Sequence, residues 1–391
     1  MIQKIRAIFH ERLGGEPFMV RSPGRVNLIG EHTDYNEGFV LPATIDKSII
    51  LAVAPRNDDL CRMYSADFDQ SFETTLDSLG RSELKWPDYL LGVVDQLLKY
   101  GAALRGFDVA FGGNIPIASG LSSSAAIEAG LAFALNTIFH LQIDTLTLVK
   151  LAHMAENEFV GVRCGIMDQF VNLFGKEHRL LRLDCRSLEF EYVPFERSDI
   201  RIVLCDTQVK RELASTEYNI RRQQCETGVT VLQKHYGSIH SLRDVSLDTL
   251  QRHREEFDPT VYRRCEYVIC ENARVLEACN DLRRADLSEF GRKMFESHTG
   301  LRDNYEVSCS ELDLFVEIAS HVPGVLGARM MGAGFGGCTI NLVEESRIQE
   351  FGRIVTETYR KQFGKDVAFY IMNIKSGTAA ERQEKVRSYQ M

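Results

Sequence analysis

The densest display of reactive side chains lies in Arg21-Ser22-Pro23-Gly24-Arg25-Val26-Asn27-Leu28-Ile29-Gly30-Glu31-His32-Thr33-Asp34-Tyr35-Asn36. Arg25, Glu31, His32 and Asp34 crowd around the end of a strand, bracketed by turn-forming Pro23, Gly24 and Gly30. Carboxylates accept from paired hydroxyls and histidine donates or accepts, so the set suits a polyhydroxylated ligand. On composition alone, a solvated acidic loop is the simpler reading. A metal site built from Glu31, His32 and Asp34 lacks a further anchoring ligand.

A second segment, Ile115-Pro116-Ile117-Ala118-Ser119-Gly120-Leu121-Ser122-Ser123-Ser124-Ala125-Ala126, joins a strand to a helix that starts near Ser122. Backbone N–H groups at a helix N-terminus carry partial positive charge and bind anions. Gly120 allows close approach, and the serines add hydroxyls for phosphate or metal. The competing reading is a serine-rich cap on an ordinary core helix. No lysine follows the glycine, so this is not the GxxxxGK[ST] loop. A third segment, Gly332-Ala333-Gly334-Phe335-Gly336-Gly337, satisfies GxGxxG, but residues 338–343 alternate like a strand. The dinucleotide motif must open a helix, so a glycine-rich turn between strands fits better. Its glycines also suit close packing alone.

The elements that must position these segments alternate. Residues 26–29, 48–54 and 107–111 read as strands, and 125–135 and 148–159 as helices with apolar residues at three- and four-residue spacing. Near Gly175 the pattern shifts. Residues 180–183 and 201–204 read as strands of a second lobe, 216–236 as a long helix closed by Gly237, and Pro259 opens another helix. Strands return at 326–330, 338–343 and 367–372. The expectation is an α+β protein of two lobes, residues 1–175 and 176–391, with a cleft between them.

The 391-residue chain is 44% hydrophobic and 26% charged, which excludes disorder as its general state. A formal charge of −9 argues against gripping nucleic acid. The ten cysteines contain no CxxC pair and suit reduced thiols in a cytosolic protein. Ile2, Ile5, Phe9 and Leu13 share one helical face stopped by Gly14-Gly15. Because residues 18–21 already look like a strand, a folded helix is preferred there to a mitochondrial presequence. The longest apolar run, 130–141, is broken by Asn136 and His140 and is too short for a bilayer. A cytoplasmic protein without membrane partners is expected.

Taken together, residues 24–35 resemble the galactokinase signature, 116–125 the phosphate loop of the GHMP kinases, and 332–337 that superfamily's third motif. Further likenesses follow in order at 86–92, 164–170, 213–218 and 301–309. The resemblance implies a GHMP kinase fold with its active site between the lobes, and ATP-dependent phosphorylation of galactose at its C1 hydroxyl. It carries the sugar contacts to Arg25, Glu31, His32, Asp34, Gly165, Asp168 and Tyr218. The phosphate loop falls on Gly120, Leu121, Ser122, Ser123 and Ser124, Mg²⁺ on Ser124 and Glu156, and Trp86 near the adenine. The implied protein is a monomer whose partners are galactose and ATP.

One departure stands at Ala118, where the family usually has glycine, followed by Ser119. A methyl there is tolerated at negative φ and strains the loop otherwise, which bears on ATP affinity. N-acetylgalactosamine kinase, arabinokinase and a catalytically silent sugar sensor are the alternatives. The sensor lacks residues after the first serines, whereas Ser122-Ser123-Ser124-Ala125-Ala126 is unbroken here. His32 through Asn36, with Gly38, fit galactokinase. Asp168 and Arg25 are then the catalytic pair. Asp168 meets the C1 hydroxyl and accepts its proton, with Arg25 neutralising it and offsetting charge on the transferring group.

Overall fold

A computed structural model describes residues 1–116, 120–209 and 214–381, and the backbone only of 214–216. The amphipathic α1 (Ile2–Arg12) buries Ile5 and Phe9 and ends before Gly14 and Gly15, both at positive φ. Then come β1 (Phe18–Asn27), a 3₁₀ turn (Asp34–Asn36), β2 (Phe39–Val40), β3 (Pro42–Pro55), β4 (Leu60–Ser65) and β5 (Gln70–Thr75). They are followed by α2 (Trp86–Tyr100), β6 (Phe107–Gly113), α3 (Ser123–Ile138), α4 (Thr145–Met154) and α5 (Met167–Phe174). The chain continues through β7 (Arg179–Asp184), β8 (Phe190–Pro194), β9 (Ile200–Asp206), α6 (Ala214–Gln233), α7 (Leu247–Arg252), α8 (Pro259–Arg283) and α9 (Leu287–Asp303). It closes with α10 (Ser310–His321), β10 (Val325–Met330), β11 (Cys338–Glu344), α11 (Ile348–Phe363), β12 (Ala368–Met372) and β13 (Ala379–Ala380).

A six-stranded sheet runs β13-β1-β3-β6-β4-β5, with only β4 and β6 parallel. A four-stranded antiparallel sheet runs β10-β11-β9-β12, and a three-stranded one β2-β7-β8. The expected α+β architecture is present. The alanine-rich α3 lies against β1 and β3, where Gly130 lets it approach: a Cβ there would sit 2.6 Å from Leu51 Cδ1. A continuous apolar core runs from β1 through α2 and α3 to the inner face of the four-stranded sheet. No helix among the described residues is long and apolar enough to cross a membrane.

Three expected boundaries move, each for a local reason. The strand expected over 26–29 ends at Asn27, because the Asn27 side-chain amide donates to Gly30 O at 3.1 Å and closes a turn. The helix expected over 148–159 starts at Thr145, capped by Asp144, and loosens after Met154 into a π-helical turn, Ala155–Val160. There the Gly161 N–H reaches back to Glu156 O at 2.9 Å. The helix expected over 216–236 ends at Gln233, whose side chain donates to Ile239 O at 2.9 Å.

Candidate active site

The pairing of β1 with β3 slips between Pro23 and Arg25, and such an irregularity re-aims a side chain. Just past the slip, the Arg25 side chain clasps Asp168 at the start of α5. Its Nε donates to Oδ1 and its Nη2 to Oδ2, each at 2.6 Å. Its Nη1 donates to Gly120 O at 2.6 Å, and its backbone N–H to Leu121 O at 3.1 Å. Gly24 makes the approach possible, since a Cβ there would lie 2.8 Å from Leu121 O. The Ser122 hydroxyl also donates to Asp168 Oδ2. The first strand, the serine-rich loop and α5 are therefore locked together through one carboxylate.

Beyond β1 the chain turns at Gly30 and His32, both at positive φ. Glu31, His32 and Asp34 face inward with Arg25, Gly165, Asp168 and Tyr218, so every residue expected to touch the sugar lines one cavity of about 180 Å³. Gly332 and Ala333 of the glycine-rich turn form another wall. That turn joins β10 to β11, as its sequence pattern requires. Gly165 is a matter of fit: a Cβ there would meet Asp34 Oδ2 at 2.1 Å. A larger cavity, about 690 Å³, lies among Arg197, Arg201 and Lys375. Its cations are already paired with Asp199, Glu345 and Glu177, so its volume does not make it the chemical site.

Burial dominates the electrostatics. It pushes His32 down to about 3, aided by the charges of Arg221 and Arg329, so the ring is neutral. His32 Nδ1 meets the Tyr35 hydroxyl at 2.7 Å, which meets that of Tyr305 at 2.8 Å, while Nε2 is buried with no hydrogen-bond partner. Burial first, then the negative charge of Asp168, raises Asp34 to about 7. Arg329 Nη1 stands 2.7 Å from Glu31 Oε2, an ion pair too bent to count as a hydrogen bond. An orphaned imidazole nitrogen beside under-committed carboxylates is a set of vacancies that ligand hydroxyls satisfy.

The serine-rich loop enters α3 through Gly120 and Ser122, both at positive φ, with Ser123 and Ser124 in the first helical turn. The first N–H groups of a helix have no intrahelical partner, and such a terminus is suited to an anion. Ala118 and Ser119 lie outside the described residues. Glu156, turned inward by the π-helical turn, is buried and accepts from Gln169 Nε2 at 2.6 Å. The nearby Ser124 hydroxyl favours its ionised form. Burial, then the charge of Asp168, raises Glu156; burial, then Glu156, pushes Glu128 well up. Gln169 Nε2 also reaches Glu128 at 3.0 Å, leaving Glu128 Oε1 without a partner. Crowded hard oxygen donors beside a hydroxyl fit a hard divalent cation.

Trp86, expected near the adenine, lies apart from the cavity that Arg25 and Asp168 line. It is buried at the start of α2 against Phe111, and its indole N–H donates to Gln70 Oε1 at 2.9 Å. Several residues were missed from sequence: Arg329, Glu128, Gln169 and the Tyr35–Tyr305 pair. Two carried a signal. Glu128 is a lone charge inside an otherwise apolar helix, and Arg329 a lone charge in an apolar strand beside the glycine-rich turn.

A family model described as the galactokinase galactose-binding signature matches residues 7–55. Those of the GHMP kinases N terminal domain and the GHMP kinases C terminal match residues 88–176 and 277–361. The solved mevalonate kinase of Methanococcus jannaschii, 19% identical with a TM-score of 0.66 over 93% of this chain and 99% of that one, shares the fold. Fold and site together define a GHMP kinase. Galactokinases of Roseiflexus sp. (strain RS-1) and Bacillus subtilis (strain 168) are each 41% identical, over 96% and 95% of this chain and 96% of theirs. The structure of Lactococcus lactis galactokinase complexed with galactose, 36% identical, matches with a TM-score of 0.93 over 96% of this chain and 99% of that one. The chain belongs to the galactokinase family.

Proposed function

We propose that this chain transfers the terminal phosphoryl group of ATP to the C1 hydroxyl of galactose, giving α-D-galactose 1-phosphate and ADP, with Mg²⁺ as the required ion. The observation that carries the reading is Asp168. It is held by Arg25 and Ser122 at the meeting of a polar cavity and a helix N-terminus. Phosphoryl transfer needs positioning and charge stabilisation more than covalent work. A carboxylate offers about four lone-pair sites, and three on Asp168 are committed to Arg25 and Ser122. The remaining one takes the reacting hydroxyl, orients it, and receives its proton as the new bond forms. Arg25, kept charged by Asp168 despite its burial, balances that carboxylate and faces the charge of the transferring group.

Ser124 and Glu156 would hold Mg²⁺, with Glu128 behind them; when bound, the ion neutralises phosphate oxygens. Glu31, His32 and Asp34 read hydroxyls away from the reacting carbon. Residues 1–175 and 176–391 are taken as the two lobes, with β13 returning to the first sheet beside β1. A cytoplasmic monomer accompanies this reading.

The test is ADP production by the purified chain with galactose, N-acetylgalactosamine, arabinose or no sugar, each with and without Mg²⁺. ADP should appear only with galactose and Mg²⁺ together. Galactose binding with background ADP would replace the proposal by a sensor, and preference for another sugar would reassign the substrate.

A further inference from the structure

Away from the active site, a second constellation has ligand character. Just past the C-terminal end of α6, His235 Nε2 lies 2.7 Å from Glu256 Oε2. His253, the residue that closes α7, places Nδ1 2.8 Å from Glu256 Oε1. The two imidazoles are stacked with centroids 4.2 Å apart, and the three ligand atoms lie within 4.8 Å of one another. The Tyr236 hydroxyl meets His253 Nε2 at 3.2 Å. That contact fixes the ring and leaves Nδ1 for the shared centre, as an outer partner does for a metal-bound histidine.

We propose that His235, His253 and Glu256 form a site for a divalent transition-metal ion of the zinc or cobalt type, which ties the end of α6 to the connection after α7. Imidazole nitrogens favour such ions over Mg²⁺, so the site is chemically separate from the oxygen-rich one at Ser124 and Glu156. Around a tetrahedral ion with bonds of about 2.1 Å, ligand atoms stand about 3.4 Å apart. The present separations must therefore open by about 0.6 Å, a movement that the partly exposed His235 and Glu256 side chains permit. Three protein ligands leave one position for water. Tyr218 lies in the first turns of α6, fifteen residues before its end, so a helical rise of about 23 Å separates the site from the sugar cavity.

Untagged protein saturated with Mg²⁺ should be titrated with Co²⁺ and then Zn²⁺. One equivalent of Co²⁺ should give visible ligand-field absorption without a thiolate charge-transfer band, Zn²⁺ should displace it, and Tm should rise. Tyr236→Phe should weaken Co²⁺ affinity about tenfold. His253→Ala and Glu256→Gln should abolish the absorption and the Tm rise while kcat with Mg²⁺ stays unchanged. If His253→Ala does not fold, the isosteric Glu256→Gln decides alone. Absorption that survives Glu256→Gln, a thiolate band, or no saturable binding would each overturn the proposal.

Discussion

Gly165→Ala tests the sugar site by adding a single methyl group. The new Cβ would lie 2.1 Å from Asp34 Oδ2, 2.3 Å from its Cγ and 2.7 Å from its Cβ. Ordinary contact begins near 3.4 Å, so the Asp34 carboxyl must retreat by about 1.3 Å. That is enough to break a hydrogen bond to a sugar hydroxyl, at a cost of about 1–3 kcal/mol for the group left unpaired. The expected outcome is a loss of about 5- to 150-fold in kcat/KM for galactose, with the KM for ATP unchanged. Gly165 is not at positive φ, so alanine itself brings no backbone strain and the variant should fold. Asp34→Ala supplies the control. Both changes act on one contact, so the double variant should be no worse than Asp34→Ala alone, a departure from additivity. Steady-state kinetics on the four proteins, with Tm for each, measures this. A folded Gly165→Ala enzyme with wild-type kcat/KM for galactose, or strictly additive losses, would refute the placement of Asp34 against the sugar.

Asp168→Asn should lower kcat by roughly 10²- to 10⁴-fold while nucleotide binding persists, measured by single-turnover kinetics and nucleotide titration. Glu156→Gln should shift the Mg²⁺ titration midpoint upward at fixed ATP, since an amide oxygen is a weaker ligand for a hard cation; an unchanged midpoint removes Glu156 from the metal site. Asp34 is raised to about 7, and hydroxyl donors favour its ionised form, so galactose affinity should fall by up to about tenfold per unit as pH drops below 7. Calorimetry against pH reads this, and Asp34→Asn should flatten the profile. Because its folded value lies above its unfolded one, the same group favours the fold most at low pH and loses that contribution as pH rises from about 4 to about 7, so Asp34→Asn should also narrow the fall in Tm across that range.

The sequence made legible those parts of the site whose chemistry is carried by neighbours in the chain. Arg25 through Asn36 and Gly120 through Ser124 could be read because turns, caps and charges fall within a few residues of each other. The pairing of Arg25 with Asp168 spans 143 residues, and only the family resemblance suggested it. What stayed hidden depends on burial. Nothing in the local pattern says that Glu31 faces Arg329 across a packed interface, or that Glu128 and Glu156 crowd one amide. Helix ends missed for a similar reason: the π-helical turn after Met154 leaves the apolar spacing nearly intact while rotating Glu156 toward the loop.

Charge accounting around Asp168 explains why a cation belongs to the proposed reaction. Within the site the carboxyl groups of Asp34, Asp168, Glu128 and Glu156 stand against Arg25, while Arg329 is already committed to Glu31. Glu156 raises Glu128, and Asp168 raises both Glu156 and Asp34, as like charges confined together do. In the proposed reaction, the serine-rich loop would meet phosphate with amides and hydroxyls and no lysine, directing the anion without neutralising it. A polyphosphate arriving bare would add charge to a poorly screened pocket whose carboxyl groups are already pushed toward their protonated forms. Entering with a divalent ion, it brings the missing charge to the carboxylates that lack it. Arg25 and Ser122 hold Asp168 in place, and in the proposed reaction its one uncommitted lone pair would meet the sugar hydroxyl.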